Sequence, residues 1–232
     1  MNLSRFRGRL VRAAAVIVPA AAVAAWYLVP GSARAATQVA VWHMNEAAGA
    51  TTMVDSVGGH NGAIKNVQTG VPGLSGNAYR FNGTSSVVVV PASPAFNPGS
   101  ADWSFTVHVS FTKPPSAAVG DYDLFRGPSQ GAYKAEILAR KNRTQGVASC
   151  FFKGSKSKAT LTAGPNLADG RWHTITCNKH ASNIQLVVDG ATFTKTVTIG
   201  TLTNTGPVSL GAKAKGGDWY DGLLDEVSVT AG

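Results

Sequence analysis

From residue 36 to the end of the chain every apolar run is short, and Gly, Asn, Asp and Pro clusters punctuate the intervals. Runs of that length are strands, and no amphipathic stretch is long enough for a major helix. The clearest strands are Gln38 to Met44, Ala78 to Phe81, Ser86 to Val90, Trp103 to Phe111, Lys134 to Ala139, Val147 to Phe152, His173 to Cys177, Ile184 to Asp189, Val208 to Leu210 and Leu224 to Val229. Phe105, Val107, Val109 and Phe111 share one strand face, as do Ile184, Leu186 and Val188. Many strands with one buried and one wet face predict an all-β fold, a two-sheet antiparallel sandwich. Asn61-Gly62 and Asp189-Gly190 predict type I′ turns, whose positive φ suits those dipeptides. With 44% hydrophobic and 14% charged residues, the chain can bury such a core, and disorder, collagen and coiled coils are excluded.

The first 35 residues read as a separate unit. Arg5, Arg7, Arg9 and Arg12 precede an apolar run from Ala13 to Val29, followed by Pro30-Gly31-Ser32 and the small-residue site Ala33-Arg34-Ala35. That order predicts a secretory signal peptide over 1–35, cut before Ala36, and one secreted β domain over 36–232. An uncleaved membrane anchor is the alternative, although the run falls short of the ~20 residues that span a bilayer and contains Pro19. The leader holds five arginines and no acid, so the net charge of +9 becomes +4 over 36–232 (16 basic against 12 acidic residues). Composition therefore makes no case for nucleic acid.

Cys150 and Cys177 both fall in the exported part, where thiols are usually oxidised. By strand parity Cys150 shares its face with Ala148 and Phe152, and Cys177 shares its face with Ile175, so both point inward. A disulfide between neighbouring strands is expected, with two buried thiols as the alternative.

Several motifs resemble those of laminin G-like (LamG) domains, members of the concanavalin A-like lectin/glucanase superfamily. They are Val41-Trp42-His43-Met44-Asn45-Glu46, Asp55-Ser56 with His60-Asn61-Gly62, and Phe81-Asn82-Gly83. Further along come Asp169-Gly170-Arg171-Trp172-His173-Thr174-Ile175, then Leu186-Val187-Val188-Asp189-Gly190, and finally Tyr220-Asp221-Gly222-Leu223-Leu224-Asp225-Glu226-Val227. The resemblance implies a jelly-roll sandwich over nearly all of residues 38 to 230. It does not imply one function, because the fold hosts lectins, glycanases, heparin-binding and protein-binding modules.

Retaining glycosidases need two carboxyl groups about 5–5.5 Å apart. No E-x-D-x-E-like strand occurs, and none of Glu46, Glu136 and Glu226 has an acid two residues away. Asp121 and Asp123 share a strand parity, but the Gly-rich stretch Val119 to Gly131 reads as a loop and its acids as solvated. An enzyme is not expected.

Asp225 shares its parity with Leu223, Val227 and Val229, which places a carboxylate on an otherwise apolar face. A structural Ca2+ would satisfy it, as would hydrogen bonds to turn amides or an Arg such as Arg80. The resemblance implies a calcium set of Asp225 with the Asn82-Gly83 turn, and Glu46 as a further ligand.

Trp42, Trp103 and Trp172 read as core, whereas Trp219 lies in the flexible run Gly216-Gly217-Asp218-Trp219-Tyr220, where it could stack on a sugar. Arg140, Lys141 and Arg143 form one basic turn and Lys153, Lys156 and Lys158 the next, at opposite ends of the intervening strand. The expected function is a secreted binding module for carbohydrate, using Trp219 with Arg140, Lys141 and Arg143. The alternative is a partner domain for an extracellular or cell-envelope protein, with a glycoside hydrolase third and membrane contact only through an uncleaved leader.

Overall fold

The computed structural model describes residues 36–128 and 132–232, so the expected leader lies outside the described residues. The described residues form two antiparallel eight-stranded sheets. The first runs in the order β14 (Ala191–Thr196), β13 (Asn183–Val188), β12 (His173–Lys179), β7 (Trp103–Ser110), β16 (Asp221–Ala231), β5 (Asn77–Asn82) and β4 (Gln68–Pro72), with β1 (Thr37–Trp42) also on β16. The second runs in the order β11 (Lys158–Thr162), β10 (Gln145–Lys153), β9 (Tyr133–Arg140), β8 (Asp121–Arg126), β15 (Val208–Leu210), β6 (Val87–Val90), β3 (Gly62–Lys65) and β2 (Thr52–Met53).

The alternating strands bury the predicted faces. Phe105, Val107 and Val109 of β7 and Ile184, Leu186 and Val188 of β13 are all buried. From the facing sheet, Phe125, Tyr133 and Phe152 bring rings within 4.9, 5.6 and 5.8 Å of the Phe105 ring. Offset and tilted packing of this kind adds to area burial, and truncating such a ring costs about 3–5 kcal/mol. Trp42 and Trp103 belong to this core, while Trp172 is only half-buried.

Cys150 and Cys177 form a disulfide. They come from β10 and β12, which lie in different sheets, so the bridge crosses the core rather than joining neighbours within one sheet. Inward parity on both strands made this possible, and closing such a loop contributes about 3 kcal/mol.

Asp189-Gly190 is the expected turn, with φ of 48° and 84°, between β13 and β14. Asn61-Gly62 is not a hairpin turn. Gly62 opens β3, buried where an added Cβ would stand 2.7 Å from a Val88 methyl, so it is glycine for close packing.

Strand β16 pairs with β5 through Leu224 and with β1 from Val227 onward. At the handover the register against β7 shifts between Asp225 and Ser228, and Glu226 takes a φ of 46°. This leaves Asp225 fully buried beside a gap that the β4–β5 turn fills.

Candidate functional site

The segment 121–126, read from sequence as loop, is strand β8. Tyr122, Leu124 and Phe125 enter the core because the register shifts between Asp123 and Phe125, and that shift leaves Asp121, Asp123 and Arg126 together on the outer side. Across the ladder Asp123 stands opposite Glu136, and Arg126 stands opposite Lys134. Asp123 is 1% exposed and so is not the solvated acid expected from the sequence, and Glu136 opposite it is 3% exposed.

These charges satisfy one another. Arg126 Nη1 donates to both Asp123 oxygens at 3.1 and 2.8 Å and lies 3.9 Å from Asp218 Oδ2. Lys213 Nζ is 2.6 Å from the same Asp218 oxygen. Lys134 Nζ lies 3.3 Å from Asp121 Oδ2 and rests against Glu136 Oε2. Ser149 on β10 donates to Glu136 Oε1, and Thr162 on β11 donates to Ser149, carrying the network over four strands.

Burial pushes the Glu136 carboxyl up to about 8, helped by its hydrogen bond to Asp121. Burial likewise pushes Asp123 up to about 6, against the pull of Arg126 and Lys134. Burial works against the Lys134 charge, but Glu136, Asp123 and Asp121 outweigh it and raise that pKa. Among the described residues, Asp121, Asp123 and Asp218 are the acids whose oxygens gather within 4.8 Å, close enough for one ion. Three side-chain cations already neutralise them, and a metal would have to displace Arg126, Lys134 or Lys213.

Trp219 follows this cluster directly. The Asp123 amide donates to the Asp218 carbonyl at 3.0 Å, and the Tyr220 amide to the Gly211 carbonyl at 2.8 Å, so both neighbours of Trp219 are pinned. An added Cβ on Gly216, where φ is 96°, would lie 3.0 Å from the indole, so only glycine lets the ring lie on the loop this closely. The ring is half-buried.

The other expected binding residues sit elsewhere. Arg140 is exposed at the end of β9, and Lys141, Asn142 and Arg143 turn the chain with φ of 47°, 55° and 64°. Arg143 donates to the Ser116 carbonyl at 3.0 Å, which ties down the preceding loop. Among the described residues no hydrogen bond or ion pair joins this turn to Trp219.

The residues expected to hold calcium are engaged in separate sets. Asp225 accepts backbone amides of Leu74 and Ser75 on Oδ2 at 2.8 and 3.0 Å, and of Glu226 on Oδ1 at 2.9 Å. Burial nevertheless raises its pKa. Asn82 caps its own turn through the amides of Thr84, Ser85 and Ser86, and the Gly83 amide donates to the Tyr220 carbonyl. Glu46 accepts from the Val54 amide and the Tyr79 hydroxyl. The four share no hydrogen-bond partner, and turn amides meet the Asp225 carboxylate. Arg80 pairs with Asp221 instead.

Residues 81–231 match the Laminin_G_3 family model, described as the concanavalin A-like lectin/glucanases superfamily. The chain belongs to this superfamily. No curated protein sequence matches it significantly. Among solved structures, the binding domain of Paraclostridial Mosquitocidal Protein 1 is 15% identical with a TM-score of 0.65, over 83% of this chain and 48% of that one. The present chain thus spans about half the length of that binding domain. Domain 4 of AbnA, a GH43 extracellular arabinanase from Geobacillus stearothermophilus solved with arabinotriose, is 16% identical with a TM-score of 0.60, over 85% of this chain and 93% of that domain. Mouse laminin alpha1 domains LG4-5 are 17% identical with a TM-score of 0.51, over 66% of this chain and 40% of that one. At these identities the likeness is one of fold.

In this superfamily member His173 of the Trp172-His173 motif is held between two carboxylates. His173 is 6% exposed, with Nδ1 2.7 Å from Asp189 and Nε2 3.0 Å from Asp169. Burial opposes its charge, but the two carboxylates prevail and raise its pKa.

Proposed function

We propose that the chain is a secreted, non-catalytic carbohydrate-binding module, and that Trp219 with the ordered polar groups beside it forms the sugar-binding face. The observation that carries this reading is the half-buried Trp219 ring, seated on Gly216 with both neighbours pinned. A fixed aromatic face stacks on a sugar ring at little entropic cost, and its indole N–H makes no hydrogen bond among the described residues, which leaves it available to a hydroxyl. Asp218, Asp121 and Lys134 retain partial exposure beside it and can meet further hydroxyls. Asp123 and Glu136 lie too deep for acid–base work on a glycosidic bond, which favours binding over hydrolysis. The disulfide suits an oxidising compartment, and the arabinotriose complex of the fold-related AbnA domain supports the choice of ligand class.

A glycan array followed by calorimetry tests this, with arabinotriose as the first probe. Trp219→Ala should weaken binding of a neutral glycan at least about tenfold, with little dependence on salt. Absence of binding to any glycan would defeat the reading and favour a protein partner.

A further inference from the structure

Strands β11 and β14 are the outer edges of their respective sheets, and Lys195 of β14 reaches across to donate to the Thr160 carbonyl of β11 at 3.2 Å. Here the molecule concentrates positive charge that nothing within it balances. Lys153 and Lys158 stand directly opposite each other in the β10–β11 ladder. Like charges in that position destabilise a sheet. All 12 acidic residues of the chain lie in the described part, yet none pairs with Lys153, Lys156, Lys158 or Lys195. Phe151, Lys153, Lys158, Ala159, Thr160 and Lys195 line a cleft of about 500 Å³. The Phe151 ring is half-buried with Lys134 Nζ 5.9 Å from its centroid. Lys153 also borders a second cleft of about 390 Å³ that carries the hydroxyls of Ser155, Thr201, Thr203 and Thr205.

We propose that this double cleft binds an anionic polysaccharide. A carboxylate, sulfate or phosphate on one sugar meets Lys153, Lys158 and Lys195, which act as point charges on flexible stems. The face of the ring lies against Phe151, and hydroxyls of the adjoining sugar meet the Ser and Thr side chains of the second cleft. Cross-strand repulsion between Lys153 and Lys158 is relieved when the anion sits between them. A single-stranded nucleic acid is a poorer fit, since it calls for successive stacking aromatics along a basic groove and this lining offers one ring. Lys134, beside Phe151, lies between this site and the Trp219 face, but the anion is met by Lys153, Lys158 and Lys195, which the Trp219 reading does not use.

Calorimetric titration of the purified protein with dextran sulfate, polygalacturonate, neutral dextran and a thymidine oligonucleotide tests the proposal. Binding of dextran sulfate or polygalacturonate is expected, the two distinguishing a sulfate ester from a carboxylate, with neutral dextran inert. Affinity should fall about tenfold between about 50 and about 300 mM salt, as the Debye length shortens. The triple variant Lys153→Gln/Lys158→Gln/Lys195→Gln should lose at least about tenfold while melting no lower than wild type, because repulsion has been removed. Arg140→Gln/Lys141→Gln should stay within about twofold of wild type. Failure to bind either polyanion, full binding by the triple variant, equal binding of neutral dextran, or tighter binding of the oligonucleotide would each overturn the proposal.

Discussion

Two charged regions lie side by side, one on β8 and β9 and the other where β10 and β11 of that sheet meet the edge of the other sheet at β14, and they differ in how their charge is met. Around β8 and β9, Asp121, Asp123, Glu136 and Asp218 close on Arg126, Lys134 and Lys213, and the central groups are nearly inaccessible to water. Around β10, β11 and β14 the lysines face one another and solvent, with no acid paired to them. Ion pairing in the first region secures the packing of the 211–219 loop on the sheet, and the unmet charge of the second is free to act on something outside the molecule. Exposure and pairing together, rather than charge alone, separate structure from binding.

The largest expected effect comes from breaking a pair in the first region. Arg126→Met leaves Asp123 buried without its guanidinium, and unfolding by denaturant should register a loss of about 3–5 kcal/mol. The double change Asp123→Leu/Arg126→Met should recover much of that, since no orphan charge remains. Asp225→Asn gives the next effect. An amide presents N–H groups toward backbone donors that now meet carboxylate oxygens, a cost of about 1–3 kcal/mol that should be the same with and without a calcium chelator.

A smaller, pH-dependent effect belongs to Glu136. Its pKa is raised from 4.5 to about 8, so over that interval the folded state holds more protons than the unfolded one and stability falls as pH rises. His173, raised above 6.5, adds its own loss at higher pH, because its contribution is complete only while both states are protonated. Melting curves should therefore decline from mildly acidic pH upward, with Asp123, raised to about 6, adding to the loss below that pH, and Glu136→Gln should make the decline shallower without abolishing it. Smallest of all, Lys153→Gln/Lys158→Gln should change stability by only a few tenths of a kcal/mol, in the stabilising direction. A large loss there would erase the distinction between the two regions.

Legibility in the sequence follows the same division. Strands β7, β12 and β13 announce themselves because period two runs through them, and the inward parity of Cys177 on β12 follows from it, whereas that of Cys150 on β10 rests on its sharing a face with Ala148 and Phe152. Strand β8 is hidden because the register shift after Asp123 breaks the alternation, while Gly120, Gly127 and Pro128 around it imitate a loop. The acid cluster was invisible for that reason, since its members come from β8, β9 and the loop before β16. Edge strand β14, with the pattern Ala-Thr-Phe-Thr-Lys-Thr, has almost no buried face to reveal it. Lys153, Lys156 and Lys158 are legible as a basic turn, but the meeting of Lys153 and Lys158 with Lys195 depends on two sheets whose edges come together. Trp219 stood out through its Gly-rich setting, although the role of Gly216 beneath the ring needed coordinates.

Chemical-shift mapping by 15N NMR, with a sulfated oligosaccharide added to the labelled protein, tests the division between the two regions most directly. Shifts are expected at the amides of Phe151, Lys153, Lys158, Thr160 and Lys195, with Asp123, Arg126 and Glu136 unmoved. Shifts concentrated at Asp123, Arg126 and Glu136, with the lysine cleft silent, would contradict it.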